Sequence, residues 1–345
     1  MGAFSMLFNR IQDSIDNNSI VGEDKSSTFI DKTKTGKIRP WQERKIDSVS
    51  YSELLFILEF KKAERVKDCG VVLQFKASDT GHLKLYKAWF CKSPLCSLCN
   101  WRRAMKHSAQ SKTIITEVMK RKPSCRWLFF TFTVKNVYDG EELNQSLSDM
   151  ARGFRKMVQY KKIDKNLIGF MRTTEVTVNQ KDNSYNQHIH AMMCFESSYF
   201  RGKENYLTHK DWQAFWKKAM KLDYDPNVFV TAIKSTVSSE KDKQLIEEAV
   251  NETAKYSVKS ADYLTDDEER NLQIVKDLEE GLHRKRLISY GGLLKEIHKE
   301  FNLDSAEDGD LIKVNDENDD EKEEEGFTVT AMWNWNRQNY YIKKD

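Results

Sequence analysis

No stretch of this 345-residue chain approaches the roughly 20 consecutive apolar residues that a membrane-spanning helix needs. Met1 to Asn9 also lacks the basic flank and long apolar core of an export signal. These absences exclude a helical membrane protein and lead us to expect a soluble, cytoplasmic one. In that reducing compartment a disulfide framework is excluded too, so the six cysteines need another role. No internal repeat is evident, which sets aside solenoids and propellers. What remains, at 39% hydrophobic content, is enough to bury a sizeable core in one or two domains.

Net charge is nearly absent as well, but only on average. The total is +3, yet residues 304–325 carry 12 acids against two lysines, leaving −10 there and +13 on the rest. The basic remainder is the footprint expected of a protein that binds a phosphate backbone. The acidic run reads as a solvated, disordered linker, or as a DNA mimic competing for the basic face.

Cys91, Cys96 and Cys99 form a C-x4-C-x2-C knuckle containing Pro94, and Cys69 lies upstream of a hairpin-like stretch. Four thiolates close a tetrahedral shell, so this pattern predicts structural Zn²⁺ and not a catalytic ion. Cys125 and Cys194 lie in apolar surroundings and are expected in the core.

A second cluster has a different character. In a strand His188 and His190 leave from the same face while Ile189 packs the other way. Phe170 to Asn179 reads as a strand that the polar Gln180–Asn186 turns back into Gln187 to Phe195. Folded about Asp182 and Asn183, such a hairpin sets Glu175 across from His190 and Thr177 across from His188. Two imidazoles and a carboxylate would then hold a catalytic divalent ion, Mg²⁺ or Mn²⁺, with open positions. Over Glu240 to Lys259 a helix is expected, in which Leu245, Ala249, Glu252 and Tyr256 share one face, a carboxylate and a phenol one turn apart. An incidental histidine pair and a core-edge tyrosine beside a solvated glutamate are the plainer alternatives.

Three segments, Phe129-Phe130-Thr131-Phe132-Thr133, His188-Ile189-His190 and Glu252-x-x-x-Tyr256-x-x-Lys259, stand in the order of the three motifs of rolling-circle replication initiators. The chain resembles this branch of the HUH endonucleases, in particular the initiators of small multicopy plasmids of Gram-positive bacteria. The resemblance runs from Phe29–Lys45 to Arg284–Gly292. It implies that Tyr256 is the nicking nucleophile, that Glu252 activates water at termination, and that a host helicase and DNA polymerase act on the product. Most other branches use a second tyrosine where this one has the glutamate. Lys259 would help Tyr256 lose its proton. The partner is plasmid origin DNA, single-stranded at the nick; a homodimer is compatible with the sequence, which leaves oligomeric state open.

Around these motifs we expect a basic arm and helix (1–67, with the helix at Tyr51 to Lys67), a zinc-binding element and basic helix (68–125), a nicking domain (126–262), C-terminal helices (263–303), the acidic linker (304–325) and an aromatic end (326–345). The basic segment 32–41 could touch DNA or form a solvated arm. Arg102, Arg103 and Lys106, at the start of a helix Trp101 to Lys120, oppose its macrodipole, so they pair with acids or contact DNA. Thr208 and Asp211 resemble a capping box ahead of a core face of Trp212, Phe215, Trp216 and Met220. Tyr290-Gly291-Gly292 reads as a turn, and Trp333, Trp335, Tyr340 and Tyr341 as a strand that docks on the body or as a base-stacking surface. The element order predicts an α+β fold, a central antiparallel sheet with flanking helices, which the resemblance sharpens to the HUH, ferredoxin-like or RRM-like arrangement. A zinc-containing repressor without chemistry, or a metal-dependent nuclease using water directly, are the rival functions.

Overall fold

The computed structural model describes residues 28–33, 35–77, 83–202, 204–233, 240–254, 258–314 and 327–343, with the backbone alone at 240–245 and 247. In chain order the elements are α1 Trp41–Ile57, α2 Ala63–Lys67, β1 Val72–Ala77, β2 Leu83–Ala88, α3 Ser97–Arg121, β3 Arg126–Thr133, α4 Gly140–Val158, α5 Lys161–Asp164, β4 Leu167–Val178 and β5 Tyr185–Phe195. There follow α6 His209–Met220, β6 Val228–Ile233, α7 Glu240–Thr253, α8 Glu268–Gly281, β7 Ile288–Gly292, α9 Leu293–Glu300, β8 Thr328–Asn334 and β9 Asn339–Ile342.

Strands β4 and β5 are buried almost without interruption, the pattern of strands covered on both faces. They are the centre of an antiparallel five-stranded sheet of order β6-β3-β5-β4-β7, so the fold is α+β as expected. Phe130, Phe132, Ile189 and Met193 face α4 and α6, meeting Phe154, Trp212 and Trp216. Trp127, Met171, Met192 and Cys194 face α3, α7 and α9 through Ile115, Val250 and Leu294. The Thr208–Asp211 capping box starts α6 and so aims both tryptophans inward.

The hairpin register departs from expectation. Glu175 pairs with His188 and Thr173 with His190. The tip is a four-residue loop and not a two-residue one: the Asn179 N–H donates to the Ser184 carbonyl, Asn183 is left-handed at φ 58°, and the Asp182 carboxylate caps the Ser184 N–H. The opposing residue changes by two, an even step, so each side chain keeps its face.

Other boundaries move for packing reasons. Helix α1 starts at Trp41, directly after Pro40, and ends at Ile57, where Glu59 turns left-handed, so Tyr51 to Lys67 is not one helix. Helix α7 stops at Thr253, short of Lys259. Val258 is buried in a different core cluster, one that also holds Tyr263. Tyr290-Gly291-Gly292 is strand, not turn. A side chain at Gly291 would strike the Phe170 ring, and Gly292, at φ 57°, lets the chain enter α9 directly.

A second sheet, β2-β1-β8-β9, joins the cysteine-bearing element to the aromatic C-terminal segment. Trp333 and Tyr340 are buried there, so this segment docks on the body, with Trp335 and Tyr341 half-buried. The N-terminal arm is anchored where Phe29 stacks on Phe75 and Asp31 accepts from Trp41 Nε1 while pairing with Arg39, whereas Lys32 and residues 35–38 are exposed, as a solvated arm would be. The first part of the acidic run is docked as well, with Ala306, Leu311 and Val314 buried; its remainder lies outside the described residues. No helix among the described residues is long and apolar enough to cross a membrane.

Candidate functional site

Two neighbouring strands build the first cluster. Glu175 Oε2 lies 3.1 Å from His188 Nε2 and 3.0 Å from His190 Nε2. The three ligand atoms lie within 4.8 Å of one another on the face covered by α7. The rings are nearly perpendicular, 4.7 Å between centroids. Burial alone would raise the Glu175 carboxyl, but hydrogen bonds from both histidines, and their charge, hold it well below the usual carboxylate range. A carboxylate kept ionised between two imidazole nitrogens is a donor set suited to a divalent ion, so the residues fit the expected Mg²⁺ or Mn²⁺.

Strand β3 completes the arrangement with residues whose contribution is not evident from motif spacing. Thr131 pairs with His190 in the ladder, and its hydroxyl lies 3.2 Å from His190 Nδ1. With an ion in place, Nδ1–H would donate to Thr131 and the Nε2 lone pair would turn to the ion in place of the bond to Glu175. Phe129 stacks on the same ring at 5.7 Å. The available signal was alternation: Phe129, Thr131 and Thr133 share a face, and antiparallel pairing sets two of them opposite the histidines.

Other elements bring two further expected residues to the cluster. Glu252, in the last turn of α7, puts Oε1 3.9 Å from His190 Nε2. Lys259, half exposed, puts Nζ 3.8 Å from Glu175 Oε1. Tyr256 lies outside the described residues, bracketed in sequence by Ala254 and Val258.

The four cysteines converge separately. Cys69, Cys91, Cys96 and Cys99 are all buried, with Sγ–Sγ separations of 3.6 Å for Cys69–Cys99, Cys91–Cys99 and Cys69–Cys96. That is too long for a disulfide, while Zn–S bonds of about 2.3 Å imply a tetrahedral edge of about 3.8 Å. Backbone N–H groups of Cys91, Lys92 and Ser93 donate to Cys69, Cys99 and Cys91 sulfurs, respectively. Cys96 caps α3 and Cys99 sits in its first turn, where the macrodipole favours thiolate. Lys45, fully buried, donates to the carbonyls of Lys67 and Cys69, and burial pushes its ammonium down to about 8. The set fits zinc.

Arg102, Arg103 and Lys106 make internal contacts. Arg102 donates to the carbonyls of Leu311 and Ile312, Arg103 to those of Glu307 and Ser93, and Lys106 pairs with Asp304. Arg102 and Lys106 are buried, Arg103 half-buried. Of the two expectations, acids or DNA, Lys106 meets the first, and the neighbouring acidic segment tethers both arginines through its carbonyls.

Comparison with known proteins places the chain in a family. A family model described as replication protein matches residues 82–341. A "Protein rep" of Lactiplantibacillus plantarum is 50% identical over 318 residues, covering 92% of this chain and 99% of its own. A "Replication protein" of Staphylococcus aureus is 64% identical over 240 residues, 70% of this chain and 100% of its own. A "Protein rep" of Bacillus amyloliquefaciens is 42% identical over 343 residues, covering 93% and 99%. No solved structure matches the chain.

Proposed function

The chain belongs to the Rep family of replication proteins, the plasmid replication initiators, and from that premise we propose that it starts rolling-circle replication by nicking its origin through a covalent phosphotyrosine. The observation that carries this reading is the convergence of Glu252 and Lys259, four residues before and three after Tyr256, on the Glu175–His188–His190 cluster.

Glu175, His188 and His190 would hold the divalent ion, which when bound supplies charge that polarises the scissile phosphate. The Tyr256 oxygen attacks phosphorus, forming a 5′-phosphotyrosine as the bond to the 3′ oxygen breaks. That oxygen takes up a proton and leaves as a 3′-OH, the end a host DNA polymerase would extend while a host helicase unwinds the duplex. A phenol of pKa about 10 must lose its proton to attack, and the Lys259 ammonium favours the phenolate. In the closing cleavage Glu252 takes a proton from water, which then attacks phosphorus as the bond to the 3′ oxygen breaks, and that oxygen takes up a proton and leaves as a 3′-OH. The four cysteines would hold Zn²⁺ and shape the N-terminal half of the fold, taking no part in the chemistry.

The test is to incubate the protein with supercoiled plasmid carrying its origin and Mg²⁺. A nick with denaturant-resistant protein on the 5′ end is expected. A nick without that adduct, surviving Tyr256→Phe, would establish a water-using nuclease instead; origin binding without a nick would establish a repressor.

A further inference from the structure

A cavity of about 220 Å³ lies beside the Glu175–His188–His190 cluster and is not used by the chemistry above. Its walls come from α3 and the loop before it, from β4, from the end of α7, from the chain entering β7 and from the docked acidic segment, which brings the carboxylates of Glu307 and Asp308. It approaches the cluster through β4. Thr173, in its lining, pairs with His190 across the β4–β5 ladder. Ala254, also in the lining, precedes Tyr256 by two residues.

Two polar side chains in this lining are buried without partners. His107 is 1% exposed and neither ring nitrogen has a hydrogen bond; Thr173 is 2% exposed and its hydroxyl has none. Burial, aided by the charge of His298, pushes the His107 imidazole down to about 4. The ring is therefore neutral at physiological pH and offers one donor and one acceptor. Bare groups of this kind carry a desolvation cost that a pairing ligand would recover. The volume falls below the about 300–1,000 Å³ of ordinary small-molecule pockets, which suits one ring system. Arg284 lines the same cavity and brings a cation for a phosphate.

We propose that this cavity receives one unstacked base of single-stranded origin DNA next to the scissile phosphate, paired by His107 and Thr173, with Arg284 on the adjoining phosphate. The proposal rests on the nicking reading. Extruding a base beside the cleaved bond fixes the register of the strand, and a donor–acceptor ring set against a hydroxyl matches the edge of a base. A free nucleotide carries the same chemistry, so the test includes it.

Binding is measured with no Mg²⁺ or Mn²⁺ added and no chelator, on the Tyr256→Phe background so that no cleavage occurs and zinc is kept, with tiled single-stranded oligonucleotides over the plasmid's origin. In the best binder each base in turn is replaced by an abasic sugar, the phosphates being kept. One position beside the nick should lose on the order of tenfold more affinity than its neighbours, as removal of one held base does. In His107→Leu and Thr173→Val that excess should vanish, while melting temperature holds or rises in His107→Leu because a partnerless buried polar group has gone. Losses spread evenly over positions, or an excess unchanged in both variants, would overturn the proposal. Tight binding of a free deoxynucleoside monophosphate, with no abasic excess, would overturn it in favour of a nucleotide site. The adduct assay with Mg²⁺ is run separately: adduct with even abasic losses sinks the cavity reading alone, whereas no adduct and no oligonucleotide binding sinks both.

Discussion

The four-cysteine cluster and the Glu175–His188–His190 cluster both gather ligand atoms within 4.8 Å, from opposite materials and by opposite routes. Three of the cysteines lie within nine residues, at the knuckle and the first turn of α3, and all four are buried. The second cluster comes from two strands joined by a hairpin, and it has a half-exposed lysine and a glutamate from α7 at its edge. Four soft ligands fill a tetrahedron and leave no room for a substrate; one oxygen and two nitrogens leave positions open. On the reading proposed above, that difference divides a cluster that builds the fold from one that serves the reaction, and each prediction below tries to break the division.

The largest effect is expected from Tyr256→Phe. Removing one hydroxyl should abolish nicking and the covalent adduct, while origin binding stays near wild type because it rests on contacts spread over a wider surface. Cleavage at the normal rate would mean that water, not tyrosine, attacks, and the open cluster would serve a different reaction.

Next is the exchange of damage between clusters. Structural zinc contributes about 10–16 kcal/mol of apparent binding energy to small zinc domains, as much as the about 5–15 kcal/mol total stability of an ordinary domain. Cys96→Ser should therefore lower zinc content and folded yield together. His188→Ala and His190→Ala should remove cleavage yet keep zinc and melt close to wild type. Metal analysis alongside thermal melting decides it: zinc lost from the histidine variants and kept by Cys96→Ser would reverse the assignment.

Glu252→Ala comes third and sharpens the open cluster internally. A general base is worth about 10²- to 10⁴-fold. Initial nicking should persist while hydrolytic release falls by that order, leaving protein trapped on DNA. A time course scoring nick and release separately reads both steps. Equal loss of the two would assign Glu252, 3.9 Å from His190, to positioning Tyr256 or the metal.

Much of this division was legible in the residues, and the misses share a cause. Cysteine spacing and the alternation of His188 and His190 are local, so both ligand sets could be read directly, and the hairpin error of two residues did not disturb the face. What local pattern could not reach was long-range pairing. The polar tip was read with Asp182 and Asn183 at its centre, though Asn179 and Ser184 close it. Gly291 and Gly292 were taken for a turn because glycine usually marks one, but here close packing against Phe170 requires them in a strand. Residues 304–314 looked solvated by composition, yet Leu311 finds a buried place against distant segments. Local pattern also left Arg102 and Arg103 open between acids and phosphate, because the carbonyls they bind lie some two hundred residues away.

That tether gives the smallest expected effect, and it probes the fold-building side without touching the reaction. Asp304 pairs with buried Lys106 and accepts from the Asp310 N–H. Its own side chain is 48% exposed, so solvent screens the pair and Asp304→Asn should cost no more than about 1 kcal/mol. Partial burial pushes the Asp304 carboxyl up, but the bonds from Lys106 and Asp310 outweigh it and hold it below the usual range. A depressed value means that the folded state favours the ionised form. The contribution is then complete above the unfolded carboxyl pKa of about 3.9 and is lost as pH falls through the lower folded value. Asp304→Asn should thus melt slightly earlier than wild type at neutral pH, with the gap closing in acid. Hydrogen exchange should quicken across 304–314, and the initial nicking rate should not change. A nicking rate that fell along with the protection of 304–314 would show that the docked acidic segment supports the open cluster as well, and the two regions would no longer divide fold from reaction.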